Sequence, residues 1–230
     1  MNKNYQFFIL LLLLASLLSL INRFHQETKF ERVRKVGFFL MGTDRYLSLV
    51  ENLLESMEKY FCINNQALVH YFIFTDNKTW SPTLNSDRQF KLIYRKHQSW
   101  TMNTLLRFGM ILSEYERLDA HSFDYLYWLD AEMKMVDLVC EDIFGDRVAT
   151  MHADYFTSQK SYPYESRNRN STAFIDQKHR YEHPYYVGSF FGGNAKEMFN
   201  LMTTCHKNIQ YDLEKLNFIA RVHDESHLNR

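Results

Sequence analysis

Four short apolar runs, at residues 35–42, 67–74, 90–94 and 123–129, do most to limit what this chain can fold into. Three of them are closed by polar or acidic stops: Gly42-Thr43-Asp44, Thr75-Asp76-Asn77 and Asp130. Short apolar runs bounded by turn residues read as buried strands. After the first, Leu47, Val50, Leu53, Leu54 and Met57 recur at helical spacing, with Glu51, Glu55, Glu58 and Lys59 on the other side. Residues 103–118 read as a second helix, with Leu105, Leu106, Met110, Ile111 and Tyr115 on one face. Strand, helix, strand, strand, helix, strand predicts an α/β domain built on a mostly parallel, Rossmann-like sheet flanked by helices.

The run at 123–129 delivers Asp130-Ala131-Glu132 to the carboxyl edge of that sheet, where ligands of open α/β sheets bind. Hard oxygen donors at i and i+2 suit Mg²⁺ or Mn²⁺ completed by water and phosphate. Solvated acids after a strand are the ordinary alternative. A second acidic cluster, His223-Asp224-Glu225-Ser226-His227-Leu228-Asn229, closes the sequence. It reads equally as a helix start, since Asp near a helix N-terminus is favoured by the dipole.

The second half is less regular. Residues 155–186 are rich in Tyr, Asn, Arg and Ser, as long functional or mobile loops are. Val187-Gly188-Ser189-Phe190-Phe191-Gly192-Gly193 follows, with glycines that let backbone approach a ligand closely. A helix is expected from residue 195 to about 208, with Met198, Leu201, Met202 and Cys205 inward. Cys62, Cys140 and Cys205 lie far apart without metal-ligand spacing. Their odd number excludes a complete disulfide framework, and free buried thiols are expected, with one disulfide the alternative. Charge balances at 27 against 27, so no basic field invites nucleic acid. Neither a glycine-rich phosphate loop nor a Gly-x-Ser-x-Gly elbow is present.

Residues 5–21 are nearly all apolar and span about 25 Å as a helix, at the short end for a membrane crossing. An uncleaved anchor is expected over a cleaved signal peptide, because no Ala-x-Ala site follows the apolar core. Basic residues after the span (Arg23, Lys29, Arg32, Arg34, Lys35) place the bulk of the chain in the cytoplasm by charge counting. The sequons Asn77-Lys78-Thr79 and Asn170-Ser171-Thr172 argue instead for a secretory lumen.

Five strings occur in one order: Tyr71-Phe72-Ile73-Phe74-Thr75-Asp76; Trp100 with Arg107 seven residues on; Asp124-Tyr125-Leu126 leading to Asp130-x-Glu132; Tyr185-Tyr186-Val187-Gly188-Ser189-Phe190-Phe191-Gly192-Gly193; and residues 223–229. From about Val36 to Arg230 the chain resembles glycosyltransferase family 6. The resemblance implies a GT-A fold and a type II single-pass Golgi membrane protein with a lumenal catalytic domain. It also implies Mn²⁺-dependent, retaining transfer of galactose or N-acetylgalactosamine from UDP-Gal or UDP-GalNAc to the 3-position of a β-galactoside acceptor. By the same resemblance Asp130 and Glu132 hold the metal against the diphosphate, and Arg107 and Asp224 contact the donor. Glu225 is the proposed nucleophile, or the carboxylate that stabilises an oxocarbenium-like state, and it also faces the acceptor. Phe39 falls in the uridine-contacting strand and His152 near an acceptor-binding histidine. Val187 and Ser189 occupy positions that help select the donor sugar.

Departures from the family pattern accompany these matches. Glu132 replaces the usual second Asp. Asp44 stands where a tyrosine is expected near the uracil, with Tyr46 close enough to serve. Val222 replaces a Trp beside the His. The family continues for several dozen residues past His-Leu-Asn with a tail that closes over UDP. The expected organisation is an anchor at 1–21, a stem at 22–35 and a GT-A domain at 36–230 lacking its last part. A family member that binds nucleotide sugar or glycan without turnover is the alternative, and a metal-dependent hydrolase using the same acids is a more distant one.

Overall fold

The computed structural model describes residues 33–63, 67–156, 162–179 and 184–230. The expected anchor at 1–21 and most of the expected stem lie outside the described residues. Among those described, no helix is long and apolar enough to cross a membrane.

The chain runs through β1 (Arg34–Gly42), α1 (Leu47–Tyr60), β2 (Ala67–Thr75), β3 (Gln89–Tyr94), α2 (Trp100–Leu105), α3 (Arg107–Leu112), β4 (Tyr125–Asp130), β5 (Arg147–Met151), α4 (Ala153–Phe156), β6 (Tyr186–Asn194), α5 (Ala195–Leu216) and α6 (His223–Leu228). The strands form one sheet in the order β3-β2-β1-β4-β6-β5. Strands β3, β2, β1 and β4 are parallel, and β6 runs antiparallel to both β4 and β5.

Helices cover both faces, which is why the first strands are apolar throughout. In β1, Val36, Phe38 and Leu40 pack with α1, and Phe39 packs on the opposite face. Tyr127 and Leu129 of β4 follow the first set, while Leu126 and Trp128 follow the second, beneath α3 and α5. Period-two alternation therefore puts Trp128 and Asp130 on one face.

The expected helix over 103–118 begins earlier and is broken. α2 and α3 meet at Leu106 (φ −95°, ψ 4°), although Leu106 N–H still donates to Met102 O and Met110 N–H to Leu106 O. The kink lies next to Arg107, which points inward to Asp130 and the buried Asp224, described below. Beyond Leu112 the chain continues in tight turns to Asp119, whose φ is +51°. α5 runs eight residues past its expected end, to Leu216, because Ile209 and Asp212 continue its buried face. Its first turn is closed by Asn194, which accepts from Glu197 N–H at 2.9 Å.

The glycines at the end of β6 serve the packing of the sheet. Gly193 has φ +141°, and a Cβ there would stand 2.1 Å from Asp146 O.

The expectation of three free thiols is corrected for two of them. Cys62, just after α1, is bonded to Cys140, a sequence separation of 78. Around the bond, Cys62 N–H donates to Val139 O at 2.8 Å and Val139 N–H to Tyr60 O at 3.0 Å. Ser56 Oγ accepts Met135 N–H at 3.0 Å. The segment that follows Glu132 is thus fastened to α1. Cys205 is free and buried, and burial pushes its thiol up to about 12. Replacing both Cys62 and Cys140 by Ser should lower unfolding free energy by about 4 kcal/mol, from loop closure alone. Urea unfolding of the variant beside the oxidised and reduced wild type checks this, and the reduced protein should match the variant.

Candidate active site

The strand order reverses between β1 and β4, and the crevice outside their carboxyl ends is the expected ligand position in such a sheet. A cavity of about 250 Å³ lies there, lined by Thr43, Asp44, Tyr46, Trp100, Asp130 and Glu132 among others. A larger one of about 450 Å³ shares Met41, Thr43 and Asn103 with it but carries no acid. Of the two, the smaller carries the acids.

Arg107 organises the site. It is 3 % exposed. Its Nη1 donates to Asp130 Oδ1 at 3.2 Å and to Gly188 O at 2.7 Å, and its Nε lies 2.7 Å from Asp224 Oδ2. The last contact is an ion pair without hydrogen-bond alignment, so Asp224 Oδ2 has no aligned donor. The guanidinium also lies over the Trp128 ring, 4.8 Å from its centre. Trp128 Nε1–H donates to Asp130 Oδ1 at 2.7 Å. Burial disfavours the Arg107 charge, yet Asp224, Asp130 and Glu225 together raise its pKa. Burial pushes the Asp224 carboxyl up to about 7, with Arg107 opposing and Asp130 and Glu225 reinforcing the rise.

Glu225 is held by backbone. Gly188 N–H donates to its Oε2 at 2.6 Å, and a Cβ on residue 188 would lie 3.3 Å from that oxygen. Gly188 is therefore where a glycine of the β6 string meets a functional group. Asn229 ties the other end of α6 to β6, accepting from Tyr186 N–H at 2.7 Å and donating to Tyr186 O at 2.7 Å. His223 enters α6 at φ +46°, a conformation costing a residue other than glycine about 1–3 kcal/mol and kept only where its surroundings over-determine it. Its ring meets Trp100 edge-on at 4.8 Å.

The structure thus gathers Arg107, Asp130, Asp224 and Glu225 into one charged cluster. Tyr46 and Glu132 line the cavity, where the Glu132 side chain is exposed. Val187 and Ser189 flank Gly188 on β6 and are half-buried. His152 N–H donates to Tyr185 O at 2.9 Å, and its ring lies 6.2 Å from that of Tyr185, whose phenol feels the Glu225 charge. Phe39 is placed apart: its side chain stacks on Phe72 at 5.2 Å within the core and lines neither cavity. Trp128 and Tyr185 were not among the expected site residues. Trp128 was legible two residues before Asp130 on the same strand face, whereas Tyr185 opens the string at 185–193 without any sign there of its place beside Glu225.

Among the described residues no group of three or more His, Cys, Asp or Glu side chains forms a metal cage. Asp130 and Glu132 present hard oxygen donors at one cavity wall, which fits a divalent cation that keeps water and takes the remaining ligands from a phosphate. Because Asp130 Oδ1 is committed to Arg107 and Trp128, Oδ2 and Glu132 are the donors such a cation would use.

A parallel sheet with an antiparallel flank and an acidic pair at its switch point fits the GT-A class of glycosyltransferases. A family model described as glycosyltransferase family 6 matches residues 20–230, and the chain belongs to that family. It is 32% identical over 200 residues to a globoside alpha-1,3-N-acetylgalactosaminyltransferase 1 of Gallus gallus, covering 85% of this chain and 56% of the relative. Similarity to the histo-blood group ABO system transferase 1 of Rattus norvegicus is 30% over 200 residues, with the same coverage. An O-antigen biosynthesis glycosyltransferase of Escherichia coli, WbnI, is 32% identical over 199 residues, covering 84% of this chain and 80% of the relative. The chain spans about half the length of the animal relatives.

Proposed function

We propose that this chain is a retaining glycosyltransferase that moves galactose or N-acetylgalactosamine from UDP to the 3-position of a β-galactoside. One observation carries the reading. Arg107 holds the Asp130 carboxylate, at the end of β4, and the Asp224 carboxylate, at the start of α6, against one guanidinium. An acid on the cavity wall and a buried acid at the start of α6 are thereby coupled through one side chain. Asp130 and Glu132 would hold Mn²⁺ there, and the ion would offset charge on the departing diphosphate. Asp224, buried with an Oδ2 that lacks an aligned donor, would accept a donor-sugar hydroxyl once the cleft opens to it. Glu225 would face the anomeric carbon as nucleophile or as a stabilising carboxylate. The name of the globoside relatives supports an α-1,3 linkage and N-acetylgalactosamine as the sugar. The Cys62–Cys140 bond favours an oxidising compartment, in keeping with a Golgi lumenal domain behind an anchor at 1–21.

Calorimetry with UDP, with and without Mn²⁺, is the direct test, beside Asp130→Asn. Wild type should bind UDP more tightly with the metal, and the substitution should remove most of that increment, about tenfold or more. Absence of any UDP binding by folded protein would overturn the proposal. A second reading, binding without turnover, is favoured by Val222, the residue just before α6, which stands where the family pattern has a tryptophan. UDP-sugar binding without transfer or hydrolysis would establish it.

A further inference from the structure

A buried carboxylate outside the cleft has no part in the chemistry above. Glu165 lies in the polar segment between α4 and β6, and its side chain is fully buried. Its Oε1 accepts Arg167 N–H at 2.6 Å, and the Arg167 guanidinium grips both oxygens, Nη2 lying 2.5 Å from Oε2. The same Oε2 accepts Arg221 N–H at 2.7 Å. Arg167 Nη2 donates onward to Ile219 O at 3.0 Å, and the guanidinium lies over the Phe218 ring at 5.1 Å.

These contacts fall on one stretch of backbone. The link from α5 to α6 begins at Asn217 and ends at His223, both with φ +46°. Such turns at residues other than glycine persist only when their surroundings dictate them. Phe218 N–H is held by Asp212 O at 3.0 Å; Ile219 O and Arg221 N–H are held by the Arg167–Glu165 pair. Glu165 is itself seated by Phe174, with which it forms an isolated bridge, and by Ile175 N–H, which donates to its carbonyl at 2.8 Å. The residues right after the clamp are His223, Asp224 and Glu225. A small rotation of α6 would carry Glu225 off Gly188 and Asp224 off Arg107.

We propose that Glu165, clamped by Arg167, is a positioning residue that fixes the angle at which α6 presents Asp224 and Glu225. The importance of that angle rests on the functional reading above, while the clamp itself is a statement about the fold. The test compares the full chain with Glu165→Ala and Glu165→Gln, the latter keeping an oxygen to accept Arg221 N–H. Hydrogen exchange should speed up roughly tenfold over residues 219–228 in Glu165→Ala and remain at the wild-type rate in α5. UDP affinity, set at the β1 and β4 ends, should stay within about twofold. The kcat for donor turnover should drop about a hundredfold with KM nearly unchanged, because the reacting carboxylate is misplaced and the nucleotide seat is not. Glu165→Gln should recover most of both. If the alanine variant does not fold, Arg167→Met, which cuts the link to Ile219, is judged by the same measurements. Wild-type exchange over 219–228 in a folded variant would overturn the proposal, as would loosened exchange with undiminished kcat. Wild-type protein that binds no UDP would sink the functional reading, leaving the exchange rates to decide the clamp.

Discussion

Sugar transfer by Glu225→Gln is expected to fall on the order of a thousandfold, with the thermal midpoint and UDP affinity unchanged. The amide is nearly isosteric, and its oxygen can still accept Gly188 N–H, the 2.6 Å contact that seats the carboxylate on β6. What the amide lacks is the negative charge that retention needs beside the anomeric carbon, whether the group bonds to the sugar or stabilises a cation. Steady-state assays with a UDP-sugar and a β-galactoside, alongside calorimetry, separate the two effects. A kcat within tenfold of wild type would remove Glu225 from the chemistry.

Arg107→Met should cost about 3–5 kcal/mol of stability, more than any other single change in the site. The substitution keeps an apolar stem against Trp128 but leaves two acids without their shared cation and the Gly188 carbonyl without its donor. The deficit should depend on pH. Folding raises the Asp224 carboxyl from 3.8 to about 7, so the folded state binds the proton more strongly than the unfolded one. Its contribution to stability is fully present below about pH 4 and is lost as pH rises through about 7. Without Arg107 opposing the rise, the Asp224 carboxyl should climb further, and the variant should recover part of its deficit between pH 7.5 and 5.5. Urea titrations of both proteins at the two pH values measure this. A deficit that is equal at both would show that Asp224 is not the group left uncompensated.

The parallel half of the sheet was legible because β1, β2 and β4 are buried on both faces, and such strands must be apolar along their length. β5, an edge strand with the sequence Arg-Val-Ala-Thr-Met and no fully buried residue, carries no such signal. Asp130 could be placed at the cleft from the run before it, and Trp128 follows from the alternation. The break at Leu106 could not be read, since hydrophobic spacing over 103–118 says nothing of the distant acids that hold Arg107. The cysteine pairing was equally hidden, because proximity across 78 residues is a property of the packed chain. Nothing in the sequence sets Glu165 and Asp212 apart from other acids of a polar loop or a helix face. Their burial depends on partners in the segments at 165–174 and 217–223, which have no periodicity of their own.

The Cys62–Cys140 bond bears on how the chain can be made. Three thiols offer three pairings, 62 with 140, 62 with 205 and 140 with 205, and the native structure uses the first. A ribosome releases Cys62 and Cys140 before Cys205, so during vectorial synthesis the native pair can close while its competitor is still unmade. Once α5 has packed, burial of the third thiol withdraws it from exchange. A fully denatured, reduced chain has neither protection, and oxidative renaturation from inclusion bodies would meet all three pairings at once.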